Sequence, residues 1–269
     1  MAKSRAAQRE AVSIPRGNVR GELRVLDDRA ALADEAAREI TFRARAAVLT
    51  RGRFEWALAG GSTPRDLYRR LVESPYREEF PWQQTRVFWG DERAVPPDHV
   101  DSNYRMAREA LLDHVPIPPV RIHRMRAELQ DLASAANAYE RTLSAAFGLA
   151  TGEVPRLDVA LLGLGADGHT ASLFPQTGAV TVRDHLAIAV HVPPLGVDRV
   201  SLTVPVFEAA RTVIFLVAGE DKAEALARAI VDEPEGGDDW EACPARAIRP
   251  RAGELLWLVD RAAASRVVA

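Results

Sequence analysis

The stretch Gly163-Leu164-Gly165-Ala166-Asp167-Gly168-His169 sets a carboxylate two residues from an imidazole among glycines. Alternate residues of a tight extended turn can point to the same side. Asp167 can then set the His169 tautomer and raise its basicity, as general-base work at neutral pH requires. Gly163, Gly165 and Gly168 leave space for a substrate and expose backbone N–H groups. Taken singly, a histidine is usually structural. In this setting, at the end of a strand, catalysis is the better reading. The first six residues also match G-x-G-x-x-G, the dinucleotide pattern. That match lies late in the chain, His169 and Pro175 crowd the place of a long helix, and no strand end presents Asp184 to a ribose. The dinucleotide reading is therefore set aside.

Gly60-Gly61-Ser62-Thr63-Pro64 follows an apolar run and opens a helix. Two glycines permit close backbone approach, two hydroxyls are at hand, and a helix start carries positive partial charge. A phosphate would suit it. A tight turn with Ser or Thr as the helix cap is an equal reading of the same residues. The loop lacks the Gly-Lys-Ser/Thr of a Walker motif. Asp91-Glu92-Arg93, directly after Trp89-Gly90, places three charges together. Arg93 could grip a phosphate or carboxylate with two bonds, oriented by Asp91 or Glu92. A surface salt bridge is the plainer alternative. Lys222 and Arg199 also flank strand ends within reach of an anion, although each alone reads as a solvated charge.

The elements that must carry these residues follow from apolar spacing. Ala30–Leu49 and Asp131–Phe147 read as helices, with another from Ser102-Asn103 to about His114. Apolar runs at Phe54–Ala59, Thr85–Trp89, Leu157–Leu162, Leu186–Val192, Val200–Val204, Thr212–Val217 and Leu255–Val259 read as strands. Their alternation with helices implies an α/β protein with a mainly parallel sheet and helices on both faces. Ligands in such sheets sit beyond the carboxyl ends of strands, where the polar and glycine-rich segments fall. Residues 1–20 read as a flexible leader and 21–269 as a single α/β domain.

The chain has 269 residues and a formal charge of −3, which points away from nucleic acid and from an anionic membrane surface. No segment has the apolar length of a membrane span, so the expectation is a cytoplasmic protein. Cys243 is the one cysteine and has no neighbouring base in sequence, which makes a passive thiol. No pair of histidines has metal-ligand spacing, so no metal and no cofactor are expected. A monomer is the expected state.

Taken together, LAGGSTPRDLY (58–68), FWGDERAVP with DSNYRMARE (88–109), LLGLGADGHTASLFP (161–175), RVSLTVPVFEAA (199–210) and VAGEDKAEAL (217–226) resemble the 6-phosphogluconolactonase family. Several ordered motifs over about Arg53 to Val259 are far more specific than any one of them. The leader and the acidic loop at 232–239 stand apart. The resemblance implies a Rossmann-like fold similar to glucosamine-6-phosphate deaminase, no cofactor, and a sugar-phosphate lactone as partner. It implies hydrolysis of 6-phosphogluconolactone in the oxidative pentose phosphate pathway. His169 would be the general base with Asp167 its companion. Gly60, Gly61, Ser62 and Thr63 with Lys222 would hold the phosphate. Arg93, and with it Arg199, would meet substrate anionic or carbonyl oxygens. Asp91, Asn103, Gly165 and Gly168 would support them. The related deaminases carry a glutamate five residues after the corresponding histidine. Phe174 stands there in this chain and cannot move protons, which disfavours amino-sugar isomerisation. A non-catalytic sugar-phosphate sensor is a further alternative, disfavoured because Asp167 and His169 are both present.

Overall fold

The computed structural model describes residues 20–129, 131–192, 197–230 and 240–267. The acidic loop at 232–239 and residues 1–19 of the expected leader lie outside them. Arg20, counted with that leader, is buried and tied in. Its N–H donates to the Ile230 carbonyl at 2.9 Å, and its carbonyl accepts from Trp257 Nε1 at 2.9 Å.

Nine strands and seven α-helices follow in chain order among the described residues: β1 (Glu22–Leu26), α1 (Arg29–Arg51), β2 (Phe54–Leu58), α2 (Ser62–Leu71), α3 (Tyr76–Glu79), β3 (Thr85–Trp89), β4 (Asp91–Arg93), α4 (Asn103–Ala110), α5 (Leu132–Phe147), β5 (Val159–Leu162), β6 (Ala187–Val192), β7 (Val197–Leu202), α6 (Val204–Ala209), β8 (Thr212–Val217), α7 (Ala223–Ile230) and β9 (Glu254–Asp260). Residue types set the boundaries of α1. Asp28 accepts from the Ala31 N–H at its start, and Gly52 at φ +74° ends it.

Six strands form a parallel sheet in the order β1-β9-β8-β5-β2-β3. Every residue of β2, β5 and β8 is buried, so both faces of the sheet centre are covered. From β2 the chain moves outward to β3. From β5 it moves the other way, to β8 and then β9. The order thus reverses between the neighbours β2 and β5, where a crevice opens beyond the strand ends.

The mainly parallel sheet agrees with the expectation from sequence. A second sheet does not appear in that expectation: β4, β7 and β6 form an antiparallel trio. Gly90 joins the two sheets. Its N–H donates to Leu58 of β2, and its carbonyl accepts from Leu202 of β7. Asp91–Arg93 is consequently a short strand and not a loop. The run expected to continue as strand to Val204 ends at Leu202, because Pro205 falls in the first turn of α6. Strand β1, half-exposed at the sheet edge, gave too weak an apolar pattern to be read.

Two buried tyrosines fix the strand ends that lead into the crevice. The Tyr68 hydroxyl accepts from the Ala59 N–H at 3.0 Å and donates to the Ala59 carbonyl at 2.8 Å. The Tyr139 hydroxyl accepts from the Trp89 N–H at 2.8 Å. Burial pushes both phenols well above their ordinary range, so they remain protonated donors. Tyr68→Phe should leave the Ala59 N–H and carbonyl unsatisfied and cost about 1–3 kcal/mol. Urea unfolding checks this, with a lower midpoint at unchanged slope expected.

Candidate active site

The crevice between the ends of β2 and β5 is a cleft of about 270 Å³. Gly60, Gly61, Ser62, Thr63, Asp91, Arg93, Asn103, Gly165, His169, Arg199 and Lys222 all line it. These come from five separate sequence segments. Asp167 and Gly168 stand just behind the lining.

Residues 165–169 make a closed turn. The Gly165 N–H donates to the His169 carbonyl at 2.8 Å, and the Gly168 N–H to the Gly165 carbonyl at 3.0 Å. A Cβ on Gly165 would collide with the His169 ring and the Asp167 carboxylate. Gly168 has φ +90°, and a Cβ there would lie 2.8 Å from Cys243 Sγ. Cys243 is thus the packing floor of the turn, and burial pushes its thiol up, against nearby arginines.

Within this turn Asp167 Oδ1 meets His169 Nδ1 at 2.6 Å and accepts the His169 backbone N–H at 3.1 Å. Partial burial acts to raise the Asp167 carboxyl. The hydrogen bond and charge of the His169 ring outweigh it and hold the group at about 2. At neutral pH Asp167 is therefore an acceptor only. His169 Nδ1 must carry the proton toward it, which leaves the lone pair on Nε2.

Asp91 is the other centre of the site. Its carboxylate accepts from Ser172 Oγ at 2.6 Å and Asn103 Nδ2 at 3.2 Å, and lies 3.7 Å from Arg199 Nη1. Asn103 packs so closely on Gly60 that a Cβ at that position would overlap its side chain. Glu92 has a different task from the one open to it in the sequence. Buried at the start of α4, it accepts the Asn103 and Tyr104 N–H groups at 2.7 Å each, plus Ser102 Oγ. Burial raises its carboxyl despite those donors.

Arg93 and Arg199 sit directly opposite one another on β4 and β7. Like charges so placed repel. The Nε atoms of both are buried and have no hydrogen-bond partner among the described residues. Burial lowers the Arg199 guanidinium from its ordinary value, opposed by Asp91. With Lys222, the cleft lining holds three cations against one carboxylate, Asp91. Lys222 lies in a short 3-10 turn, Glu220–Lys222, ahead of α7, with Nζ 3.1 Å from Asp221.

The α2 cap is Gly61 at φ +103°, with no side-chain capping bond. Neither Ser62 nor Thr63 is the cap: glycine reaches the positive φ and lets the helix begin one residue earlier. The Ser62 and Thr63 N–H groups and hydroxyls thus remain at an open helix start facing the cleft. Ser172 and the stacking of Phe174 on His169 were not read from sequence. Ser172 finds Asp91 across 81 positions, and no local pattern encodes such a contact.

A family model described as glucosamine-6-phosphate isomerases/6-phosphogluconolactonase matches residues 27–257. The chain belongs to this family. One relative, a 6-phosphogluconolactonase of Nostoc sp., is 45% identical over 243 residues, covering 90% of this chain and 97% of that protein. The structure of 6-phosphogluconolactonase from Trypanosoma brucei superposes with a TM-score of 0.80 at 31% identity, covering 92% of this chain and 98% of that one. A monomeric glucosamine-6-phosphate deaminase, 21% identical with a TM-score of 0.73 over 91% of this chain and 99% of its own, shares the fold. The Rossmann-like architecture expected from the motifs is thus a family property.

The Asp167–His169 bond has a consequence for acid stability. The Asp167 carboxyl titrates at about 2 in the folded chain, against an ordinary 3.8. A lowered carboxyl contributes stability that is fully present above the ordinary value. That contribution is lost as pH falls from 3.8 toward 2. Asp167→Asn should flatten the stability curve in that window and leave its shape unchanged near neutrality. Denaturant midpoints taken between pH 2 and 7 check it, and an unchanged acid limb would contradict the assigned bond.

Proposed function

We infer that this chain hydrolyses 6-phospho-D-glucono-1,5-lactone to 6-phospho-D-gluconate, the oxidative pentose phosphate step. The observation that carries the reading is the 2.6 Å bond that turns the His169 lone pair toward a cationic cleft. The identity to the Nostoc 6-phosphogluconolactonase over nearly its whole length supports the substrate.

A sugar phosphate brings a doubly charged group and a neutral ring. The open start of α2, with Gly60, Gly61, Ser62 and Thr63, takes the phosphate together with Lys222. His169 Nε2 removes a proton from water, whose oxygen attacks the lactone carbonyl. The oxyanion is met by the Arg93–Arg199 pair, a stabilisation of about 3 kcal/mol per donor. The tetrahedral intermediate collapses by breaking the bond from the carbonyl carbon to the ring oxygen. His169 returns its proton to that oxygen, and the new carboxyl ionises to solvent. Every proton is accounted for by His169 and water, and the chemistry calls for no cofactor. Asp167 holds the imidazole, and Asp91, Asn103, Gly165 and Gly168 hold the frame.

Phe174 bears on the deaminase alternative. Its ring lies 4.0 Å from the His169 ring, in the space a second acid–base group would need. That observation favours the lactonase.

Among the described residues no helix is long and apolar enough to cross a membrane. A monomer is part of this reading. The reading is completed by a single α/β unit in the cytoplasm.

The first test is turnover of freshly made lactone in buffer containing chelator, with the spontaneous opening rate subtracted. Wild type should turn over well above background. His169→Ala should remain folded, with a melting temperature lowered by the loss of the Asp167 bond, and lose about 10²- to 10⁴-fold in kcat. No turnover above background by wild type would sink the reading, and near-normal turnover in the variant would remove His169 from it. Lys222→Ala should raise KM with kcat little changed, because it removes binding common to ground and transition states. A fall in kcat at constant KM would contradict the anchor role.

A further inference from the structure

Asp167 fixes one nitrogen of His169 and leaves the plane of the ring to something else. That something is Phe174. The two rings are nearly parallel, with centroids 4.0 Å apart and planes 23° from each other. Phe174 is 5% exposed, so it is a fixed wall and not a mobile neighbour. Among the described residues, the His169 side chain has these two partners, the Asp167 carboxylate and the Phe174 ring.

The chain goes to some length to bring Phe174 back onto His169. The Thr170 hydroxyl donates to the Gly163 carbonyl at 2.8 Å, and the Leu173 N–H to the Thr170 carbonyl at 2.9 Å. Between them Ala171 adopts φ +48°, a left-handed conformation that a residue with a Cβ rarely takes. Ser172, at the next position, is locked to Asp91 Oδ2 and accepts no freedom from Ser201, whose Oγ receives the Ser172 N–H at 3.3 Å. Thr177 Oγ1 then donates to the Phe174 carbonyl at 2.8 Å. Backbone strain that persists under this many restraints is a mark of function.

We propose that Phe174 is a positioning residue for the reaction, holding the His169 imidazole in the plane that aims Nε2 at the attacking water. The proposal rests on His169 being the base of the lactonase reading. The Phe174 ring also lies beneath the Arg199 guanidinium, with Cζ 5.2 Å from its centroid. The Arg199 guanidinium has another partner in Asp91 at 3.7 Å, whereas among the described residues the face of the His169 ring is met by Phe174 alone. Loss of the ring therefore falls on the base and not on substrate binding. Misplacement of a reacting group by about 1 Å can cost about 100-fold in rate.

The experiment measures lactone hydrolysis by wild type, Phe174→Leu, Phe174→Tyr, His169→Ala and the double variant Phe174→Leu/His169→Ala. Phe174→Leu should lose about 10- to 100-fold in kcat at unchanged KM, and Phe174→Tyr should restore kcat because it keeps the stacking face. In the His169→Ala background Phe174→Leu should change nothing further, since a residue acting through His169 has no effect without it. That comparison keeps its meaning if Phe174→Leu lowers the melting temperature, because general destabilisation would reduce both backgrounds. Full kcat in Phe174→Leu beside an inactive His169→Ala would overturn the positioning role and leave the lactonase standing. A further loss in the double variant, or a rise in KM with kcat intact, would overturn it as well. Near-normal turnover in His169→Ala would instead remove the base on which both readings rest.

Discussion

One buried carboxylate ties together the parts of the site. Asp91 binds Ser172 of the turn after His169, Asn103 at the start of α4, and Arg199 on β7. An isolated charge at 6% exposure would be costly, and these partners are what make it tenable. The consequence is geometric. The loop after β5, the loop after β2 (through Asn103 against Gly60) and the cation on the second sheet share one reference point. None of these segments is near another in sequence. A shift in any of them would leave Asp91 with an unmet oxygen, so the carboxylate penalises each displacement.

The two sheets divide the work. The parallel sheet supplies what its topology always offers at a reversal of strand order: strand ends, glycine turns and a helix start. Lys222 follows β8 of that sheet, but the two arginines need another source, because side chains on the central strands are buried in the core. The antiparallel trio supplies them. Gly90 bonds to β2 on one side and β7 on the other, so Arg93 and Arg199 arrive at the cleft from the flank. Tyr68 holds Ala59, just past β2, and Tyr139 holds Trp89, the last residue of β3, before this division occurs.

Much of this was legible in the residues, and the part that was not has a common cause. Strands β5 and β8 announce themselves because burial on both faces demands a continuous apolar run, and β2 and β3 remain legible with one charged residue each, Glu55 and Arg86. Asp167 and His169 are legible because they are two positions apart and their glycines are local. Strand β4 is three residues of charge, and nothing in Asp91-Glu92-Arg93 says that its partner lies more than a hundred positions on. The helix cap was misplaced for a local reason: Gly61, able to take φ +103°, outcompetes the hydroxyl residues beside it. The Phe174 stack and the Ser172 bond are tertiary contacts that arise from the turn at Ala171, whose φ no alanine advertises. Sequence therefore reveals residues whose chemistry is completed nearby, and hides those completed by distant partners.

The arginine pair shows how binding and strain meet in this cleft. Two guanidinium groups face each other across β4 and β7, each with a buried Nε lacking a protein partner among the described residues. Burial and mutual repulsion both work against Arg199, and Asp91 at 3.7 Å offsets only part of this. A substrate oxygen bearing negative charge would satisfy both groups at once. Such charge is modest on a lactone carbonyl and full on the oxyanion that forms from it. On the proposed lactonase reading, the same unfavourable arrangement in the free protein would become most favourable at the transition state, and that difference is what accelerates a reaction. A pair of well-solvated arginines could bind the same anions, but would gain less as the charge developed.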